Sequence, residues 1–547
     1  MNPTGTFADP LESDQLTSGG SHTTPAPTAS SRRPSTPPLF DRIPDFALTF
    51  LAVFAFAWAV ARACIQAVTG DEGETYNVWV ATPNVTHWYP AANNHVLNSL
   101  LIRLFTSVFP LSPLSLRLPS LLGAALYIAV AYWMTRFLTR DWAVRFPLFI
   151  CLVYNPFVFD FFVAARGYGL ATSLLLAAIA VPAWCYFEWP NRPKTLIVAS
   201  ALSSVSIVLS LTANFSFAFI DLFVYLLLTA AALLRARQSA GAGRRLYAQV
   251  LAACILPGAL ALLFLPSWTL FHWPAGQLFD GGTSLKETLH TVVEASLFRL
   301  NPLVANPIVY SALDAIKRFL IPAAGELAAL QLILLLVAFK RHRDRPDAHT
   351  RGLFALTALC LGALILALLA HKLAYALFHM LMPRHRTALF IAPLVTLAIG
   401  AIASLRPPSL LSRATRYALI TVLSLTAVYF VMCSRLTYFR EWQYQEDVKR
   451  GYDVMSWYIH NRGVQTVEVA WPYYGALRFY QHLSGQEDSA SLNITGDATH
   501  PLDKQLYVLN NSLDSRFIAV NKMKILYHGP RTDLVVAVLP NSPVAHQ

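Results

Sequence analysis

Apolar residues along this chain gather in runs of roughly twenty, long enough to cross the hydrocarbon core of a bilayer as helices. In order, the runs are Phe46–Val68, Leu118–Leu138, Phe146–Phe162, Gly169–Phe187, Leu196–Leu211, Phe217–Leu234, Val250–Leu265, Leu320–Phe339, Leu353–Ala370, Leu389–Leu405 and Leu419–Cys433. The pattern predicts a polytopic α-helical membrane protein of about eleven transmembrane helices. Composition agrees, since 55% of the 547 residues are hydrophobic and only 13% charged, which is unlike a soluble globular chain. A formal net charge of +12 does not call for a nucleic-acid partner here. Lys and Arg fall in the short connections between runs, where the positive-inside rule places cytoplasmic loops.

One apolar stretch does not fit a simple crossing. In Asn94–Phe109 the residues His95, Ser99, Arg103 and Thr106 recur on one helical face, and Leu97, Leu100, Leu101, Leu104 and Val108 take the other. Such a helix lies in the membrane interface. Charge placement favours the same answer, because a crossing there would turn Arg136, Arg140 and Arg145 outward. With Arg32, Arg33 and Arg42 ahead of the first run, the N-terminus is expected in the cytoplasm and residues 69–117 form an outer loop. A second outer loop, 266–319, carries the amphipathic stretch SLKETLHTVVEASLFRL, also expected to lie on the surface.

The ends of the chain read differently from its middle. Residues 1–42 are rich in Ser, Thr, Pro and Gly and read as a disordered tail preceding the transmembrane region, 43–434. Residues 435–547 read as a small extracytoplasmic α/β domain. Its expected strands are Val464–Ala470, Gln505–Leu509, Phe517–Val520, Met523–Tyr527 and Leu534–Leu539, and its expected helices are Asp447–Asn461 and Pro472–Leu483. The six cysteines lie in or beside apolar runs and imply no disulfide framework.

The candidate chemistry gathers on the outer side. Asp71 and Glu72 follow the first run directly, and polar surface segments follow them. Two acids at the end of a span also serve as simple boundary markers, but the surface helices behind them favour a catalytic loop. Asp71 is the candidate general base, with Glu72 orienting it or binding acceptor or metal. Arg166 and Tyr168 form one candidate phosphate-binding pair and Lys372, Arg384 and Arg386 a second set; arginine's planar fork suits phosphate oxygens. Snorkelling to lipid headgroups is the plainer account of outward arginines, although it runs against the charge bias of every other loop. Asn94 and His95, on the polar side of the surface helix, are candidate substrate contacts. His371, His379 and His385 share the outer region without metal-site spacing, so a divalent metal is possible and no cofactor is certain. Asp160, in the apolar sequence NPFVFDFFV, needs a partner, for which Arg166 is a candidate, or serves as a second acid.

The order of these features resembles the GT-C membrane glycosyltransferases, in the bacterial branch related to protein O-mannosyltransferases and lipid A aminoarabinose transferases. The features are Asp71-Glu72 opening the first outer loop, surface helices, Arg117-Leu118-Pro119-Ser120 introducing the second span, and Ala165-Arg166-Gly167-Tyr168 before the fourth. The resemblance implies transfer of a single sugar from a polyprenyl-phosphate donor to a lipid, glycan or protein acceptor on the outer face. It also implies a bacterial inner-membrane location with a periplasmic C-terminal domain. Two departures stand out. Asn93-Asn94-His95-Val96-Leu97 replaces a common His-Pro-Pro-Leu, leaving the acceptor class open, and the absence of an Asp after Arg-Gly-Tyr leaves any metal requirement open. A transporter or flippase of lipid-linked sugars, or a non-enzymatic membrane scaffold, are the alternatives. The first would call for polar residues at mid-span, and the second has no need of the acidic loop.

Overall fold

A computed structural model describes residues 39–82, 90–188, 192–238, 243–274, 276–277, 281–341, 347–495, 501–542 and 544. The expected disordered tail lies almost wholly outside these residues, as does much of the expected basic cluster Lys340–Arg345. The membrane region comprises α1 (Leu39–Ile65), α2 (Gly70–Glu74), α3 (Val96–Val108), α4 (Pro113–Leu138), α5 (Trp142–Val153), α6 (Pro156–Asp160), α7 (Tyr168–Glu188) and α8 (Pro193–Ala213). It continues through α9 (Ala218–Gln238), α10 (Gly243–Phe264), α11 (Ser267–His272), α12 (Leu285–Ser296), α13 (Pro307–Arg341), α14 (Ala348–Phe378), α15 (Ile391–Ser404) and α16 (Leu410–Met432). Among the described residues, ten helices are long and apolar enough to cross a membrane: α1, α4, α7 to α10 and α13 to α16. This is a polytopic helical bundle with a small C-terminal sheet domain.

The third expected span, Phe146–Phe162, is the one that is broken. Pro156 supplies no backbone N–H and disfavours helix at the residue before it. Asn155 uses the interruption: its Oδ1 accepts from the backbone N–H groups of Phe157 and Val158, at 3.0 and 3.4 Å, and starts α6 afresh. The break turns Asp160 into the protein, where its carboxylate accepts from Arg62 in the last turn of α1 at 2.6 Å, and also from Arg435. Arg166 is therefore not its partner. Because Asp160 meets the far end of α1, α5 and α6 together still carry the chain across to the end at which Asp71 lies.

The amphipathic segment 94–109 forms α3, whose 13 residues span about 20 Å and are too short to cross. Its exposed positions mix apolar Leu104 and Val108, 54% and 66% exposed, with polar Arg103 and Ser107, a combination an interfacial helix tolerates. The polar side differs from expectation at its N-terminal end, where His95 and Ser99 pack into the protein instead of facing water. Helix α13 begins at Pro307, earlier than the apolar run from Leu320 suggests.

The C-terminal domain contains α17 (Val448–Arg462), β1 (Thr466–Ala470), α18 (Trp471–Ser484), β2 (Ser491–Thr495), β3 (Leu506–Asn510), α19 (Ser515–Val520), β4 (Lys524–His528) and β5 (Leu534–Val538). The sheet order is β2-β1-β3-β5-β4, with β1 parallel to β2 and β3, and β5 antiparallel to β3 and β4. Phe517–Val520, expected as a strand, is helical. Turn chemistry overrides its β-branched content: Asn510 Oδ1 accepts from the N–H groups of Ser512 and Leu513, and Asp514 Oδ2 accepts from Asn510 N. The apolar core beneath this sheet is continuous with Val68, Val80, Ile102, Leu116 and Ala165, so the outer loop and the sheet domain share one core.

Candidate active site

The acidic pair is built on a short helix with an N-terminal capping box. Thr69 Oγ1 accepts from Glu72 N at 3.2 Å, and Glu72 Oε2 accepts from Thr69 N at 2.9 Å. Arg117 then grips Glu72 bidentately, Nε to Oε1 at 2.8 Å and Nη2 to Oε2 at 2.7 Å, with both side chains fully buried. The remaining Arg117 donors go to the carbonyls of Ala63, Gln66 and Ala67 at the end of α1. Ala165 N donates to Glu72 Oε1 at 2.8 Å, and Ser120 Oγ donates to Ala164 O at 2.6 Å. Asp71-Glu72, Arg117-to-Ser120 and Ala165-to-Tyr168 are thus one hydrogen-bonded unit. Glu72 is its centre, so its carboxylate positions the loop and does not face a substrate.

Asp71 has the opposite setting. Its side chain keeps 21% exposure, and Oδ2 lies 2.7 Å from Arg386 Nη1 and 3.8 Å from Arg166 Nε. Burial pushes its carboxyl up, but Arg386 and Arg166, with the Trp442 indole as a further donor, outweigh that and hold it below the usual carboxylate range. Arg166 is fully buried and further fixed by Thr75 Oγ1 at 2.8 Å and by Asn93 Oδ1. The turn that presents it needs glycine on both sides of Tyr168: a Cβ at Gly167 or Gly169 would come within 1.9 Å of a backbone carbonyl oxygen. Arg386 is delivered by a different route. Gly282 and Met382 pair in a two-residue antiparallel bridge, and Thr291 Oγ1 on α12 accepts from His385 N at 3.1 Å, so the second outer loop fixes the segment bearing Arg386.

A second acid stands behind this pair. Glu441 Oε1 accepts from Arg386 N at 3.1 Å, and Oε2 lies 3.7 Å from Arg386 Nη1. Burial pushes its carboxyl up to about 7, against the opposing pull of Arg386 and Arg440. Asp160 Oδ2 accepts from Arg440 N at 2.9 Å, which anchors the residue next to Glu441. The Trp442 ring faces the Arg386 guanidinium at 5.5 Å from Cζ. Glu74, on the same turn as Asp71, is raised by burial, opposed by Arg166.

The sequence candidates sort unevenly around this centre. Asp71, Arg166 and Arg386 converge, and Tyr168 joins them with its ring 6.0 Å from Arg386 Cζ. Arg384 turns to Glu287 on α12 at 3.4 Å, and Lys372 is exposed near the end of α14, so neither belongs to the contacts around Asp71. Asn94 is buried and accepts from Ser99 Oγ at 2.9 Å; its neighbour Asn93 is the one that reaches Arg166. His95 lies beneath the centre, its ring 5.2 Å from that of Tyr168, and burial with Arg166 and Arg386 nearby lowers it well below the usual histidine range. His371, on α14, packs on Phe219 of α9. Among the described residues no group of three or more His, Cys, Asp or Glu side chains is placed to hold a metal. The groups nearest the Asp71 carboxylate are the guanidiniums of Arg386 and Arg166.

No family model matches the sequence, and no curated protein matches it either. Among solved structures the chain is similar to ArnT from Cupriavidus metallidurans bound to undecaprenyl phosphate, at 12% identity and a TM-score of 0.49, over 92% of this chain and 99% of that one. It is also similar to the arabinosyltransferase EmbB from Mycobacterium smegmatis, at 14% identity and a TM-score of 0.36, over 66% of this chain and 31% of that one. The oligosaccharyltransferase of Archaeoglobus fulgidus gives 12% identity and a TM-score of 0.37, over 80% of this chain and 63% of that one.

Glu441, Trp442, Asn93 and Glu74 carry no signal that sequence alone would raise. Glu441 lies hundreds of residues from Asp71 in a segment that looks like the first turn of a soluble domain. The anchoring of Arg435 and Arg440 on Asp160, with Arg62 and Gln66 donating to Tyr438 O, folds that segment back over the loop.

Proposed function

We propose that this chain is an integral-membrane glycosyltransferase. It moves one sugar from a polyprenyl-phosphate donor to a lipid, glycan or protein acceptor at the outer face of a bacterial inner membrane, with Asp71 as general base. The observation that carries this reading is a partly exposed carboxylate held between two guanidiniums, Arg386 at 2.7 Å and Arg166 at 3.8 Å, just beyond the C-terminal end of α1. The acceptor hydroxyl attacks the anomeric carbon, the bond from that carbon to the phosphate oxygen breaks with its electron pair leaving on the phosphate, and the hydroxyl proton passes to Asp71. Arg386 and Arg166 offset the charge that gathers on the departing phosphate.

The same arrangement times the base. Without donor, the guanidiniums hold Asp71 acidic and therefore poorly basic. An anionic phosphate seated on Arg386 and Arg166 neutralises them, so the Asp71 carboxyl rises toward the range in which it accepts a proton. The buried rings of Tyr168 and Trp442 pack beside the Arg386 guanidinium, 6.0 and 5.5 Å from its Cζ, and fix its position. The sheet domain grips the catalytic helix from the other side, with Gly70 N donating to Gln445 Oε1 at 2.7 Å and Asn77 Nδ2 to Gly475 O at 3.0 Å. It supports the loop in addition to any part in acceptor binding.

The experiment that tests this reading is mass spectrometry of envelope lipids and glycans from cells with and without the gene. Loss of a species one sugar heavier than its precursor is expected, and identical inventories would contradict the assignment.

A further inference from the structure

The small sheet turns its carboxyl edge toward the catalytic loop. Strand β1 lies between β2 and β3 and runs parallel to both, so the point at which the strand order switches lies beyond Ala470 and Asn510, where open α/β sheets take their ligands. Gln445 clamps that edge to the acidic helix: its Oε1 accepts from Gly70 N at 2.7 Å, and its Nε2 donates to Pro472 O at 2.5 Å. Asp71, Tyr444 and Trp471 each stand one residue from this clamp. Across the switch point, Asn510 Nδ2 donates to the Tyr473 hydroxyl at 3.0 Å, and Asn510 Oδ1 accepts from Ser512 N and Leu513 N.

Three large side chains stay open at this edge: Trp471 is 65% exposed, Leu513 77% and Tyr444 41%. The Tyr444 hydroxyl lies within the field of the site, raised to about 12 by partial burial and by the Asp71 and Glu441 charges, against Arg386. The ground around these side chains is polar and acidic. Asp447 Oδ2 accepts from Arg531 N at 2.8 Å, Arg531 Nη1 donates to Glu446 Oε1 at 2.5 Å, and Asp533 Oδ2 accepts from Ser512 Oγ at 2.8 Å. With Asp514, these acids disfavour a phosphorylated acceptor. Asn510 N donates to Asp514 and Asn511 N to Asp533 O, so the end of β3 offers no ladder to an added peptide strand. Nor do three side chains set among acids make the continuous apolar surface that a lipid chain covers. A sugar matches both chemistries, because a pyranose presents C–H groups to an aromatic face and hydroxyls to carboxylates.

We propose that this edge holds the acceptor and that the acceptor is a neutral carbohydrate chain, one sugar stacked on Trp471 and its reactive hydroxyl reaching Asp71 past Tyr444. The inference rests on the transferase reading above and narrows its acceptor from lipid, glycan or protein to glycan. Leu513 bounds the far side, and the carboxylates between accept sugar hydroxyls. The sheet domain then both supports the catalytic loop and presents the substrate to it.

The test is photo-cross-linking in cells with the full-length chain carrying Leu513→benzoylphenylalanine, the purified adduct being read by mass spectrometry. An adduct that yields hexose or pentose fragments and carries no polyprenyl phosphate is expected. Adding Trp471→Ala should lower its yield by about tenfold and change polyprenyl-phosphate affinity by less than about twofold, whereas Trp471→Phe, which keeps a ring, should recover most of the yield. A peptide, phospholipid or donor adduct, no adduct from correctly inserted protein, or an unchanged yield in Trp471→Ala would overturn the proposal. Cross-linking needs no turnover, so the two readings fail separately. A glycan adduct in cells whose envelope inventory does not depend on the gene would contradict the transferase reading and support the carbohydrate platform; a peptide adduct with transfer intact would do the reverse.

Discussion

Glu72 and Arg117 meet through two parallel hydrogen bonds of 2.8 and 2.7 Å, both side chains out of contact with solvent. Neighbouring acids in the sequence therefore have different settings: Glu72 is buried and holds the loop, and Asp71 stays partly exposed beside Arg386 and Arg166. Removing one partner of a buried pair strands the other charge, at a cost of about 3–5 kcal/mol. Arg117→Met is accordingly expected to lower the unfolding temperature of the purified protein sharply. Arg117→Met combined with Glu72→Met should recover part of that loss, because no charge is then left unpaired. An additive double variant would show that the pair does not act as one unit.

The sheet domain touches the catalytic helix through glycine. A Cβ on Gly73 would lie 2.0 Å from Gly475 O, which no side-chain movement relieves. Gly73→Ala is expected to reduce transfer severely and to expose the segment between α16 and α17 to protease. Gly362→Ala in α14, whose Cβ meets only Leu227 Cδ1 at 3.7 Å, serves as the control and should leave activity unchanged.

The two arginines of the Arg384-His385-Arg386 segment separate cleanly. Arg386 bonds Asp71 and borders the open site, whereas Arg384 pairs with Glu287 at a half-exposed surface. A charge-assisted hydrogen bond contributes about 1.5–3 kcal/mol, so Arg386→Gln should weaken polyprenyl-phosphate binding by about tenfold to a hundredfold. Arg384→Gln removes an exposed pair and should change it by no more than about fivefold. Equal losses in a binding titration would argue against the placement of the phosphate on Arg386.

Much of this architecture is readable from the sequence. Ten of the expected runs became long helices because an uninterrupted apolar stretch has no other way to satisfy its backbone in lipid. The third run failed at Asn155-Pro156, a local signal that hydropathy averages away. Asp71, Arg166 and Arg386 were also identifiable, since charges at the ends of apolar runs on the basic-poor side are conspicuous. Choosing between neighbours was beyond that reasoning. Whether Asn93 or Asn94, or Arg384 or Arg386, faces the site depends on the φ of 46° at His385 and on a turn at Ala91–Asn94, both fixed by distant packing. Glu441 was invisible for the same reason.

Glu441 gives the site a pH dependence. Its carboxyl is raised to about 7, so it is protonated below that value and anionic above it. As an anion it pairs with Arg386 at 3.7 Å and competes with a donor phosphate for the guanidinium. Affinity for a polyprenyl phosphodiester, which has no second ionisation near neutrality, should therefore fall as pH rises through about 7. Glu441→Gln should flatten that profile. The sign for folding follows from the same shift: a carboxyl raised above its unfolded value favours the folded state below that unfolded value, and the advantage is lost as pH rises through the interval to about 7. Calorimetry of wild type and Glu441→Gln between these limits checks it.

Asp71→Asn tests the central claim most directly. The substitution keeps shape and removes both the proton acceptor and a competitor for Arg386. Measured with reconstituted protein, native donor and acceptor, sugar transfer should fall by about a hundredfold or more, the scale of a lost general base. Donor affinity should stay equal or become tighter. Transfer within about tenfold of wild type, with donor binding intact, would contradict the assignment of Asp71 as the base.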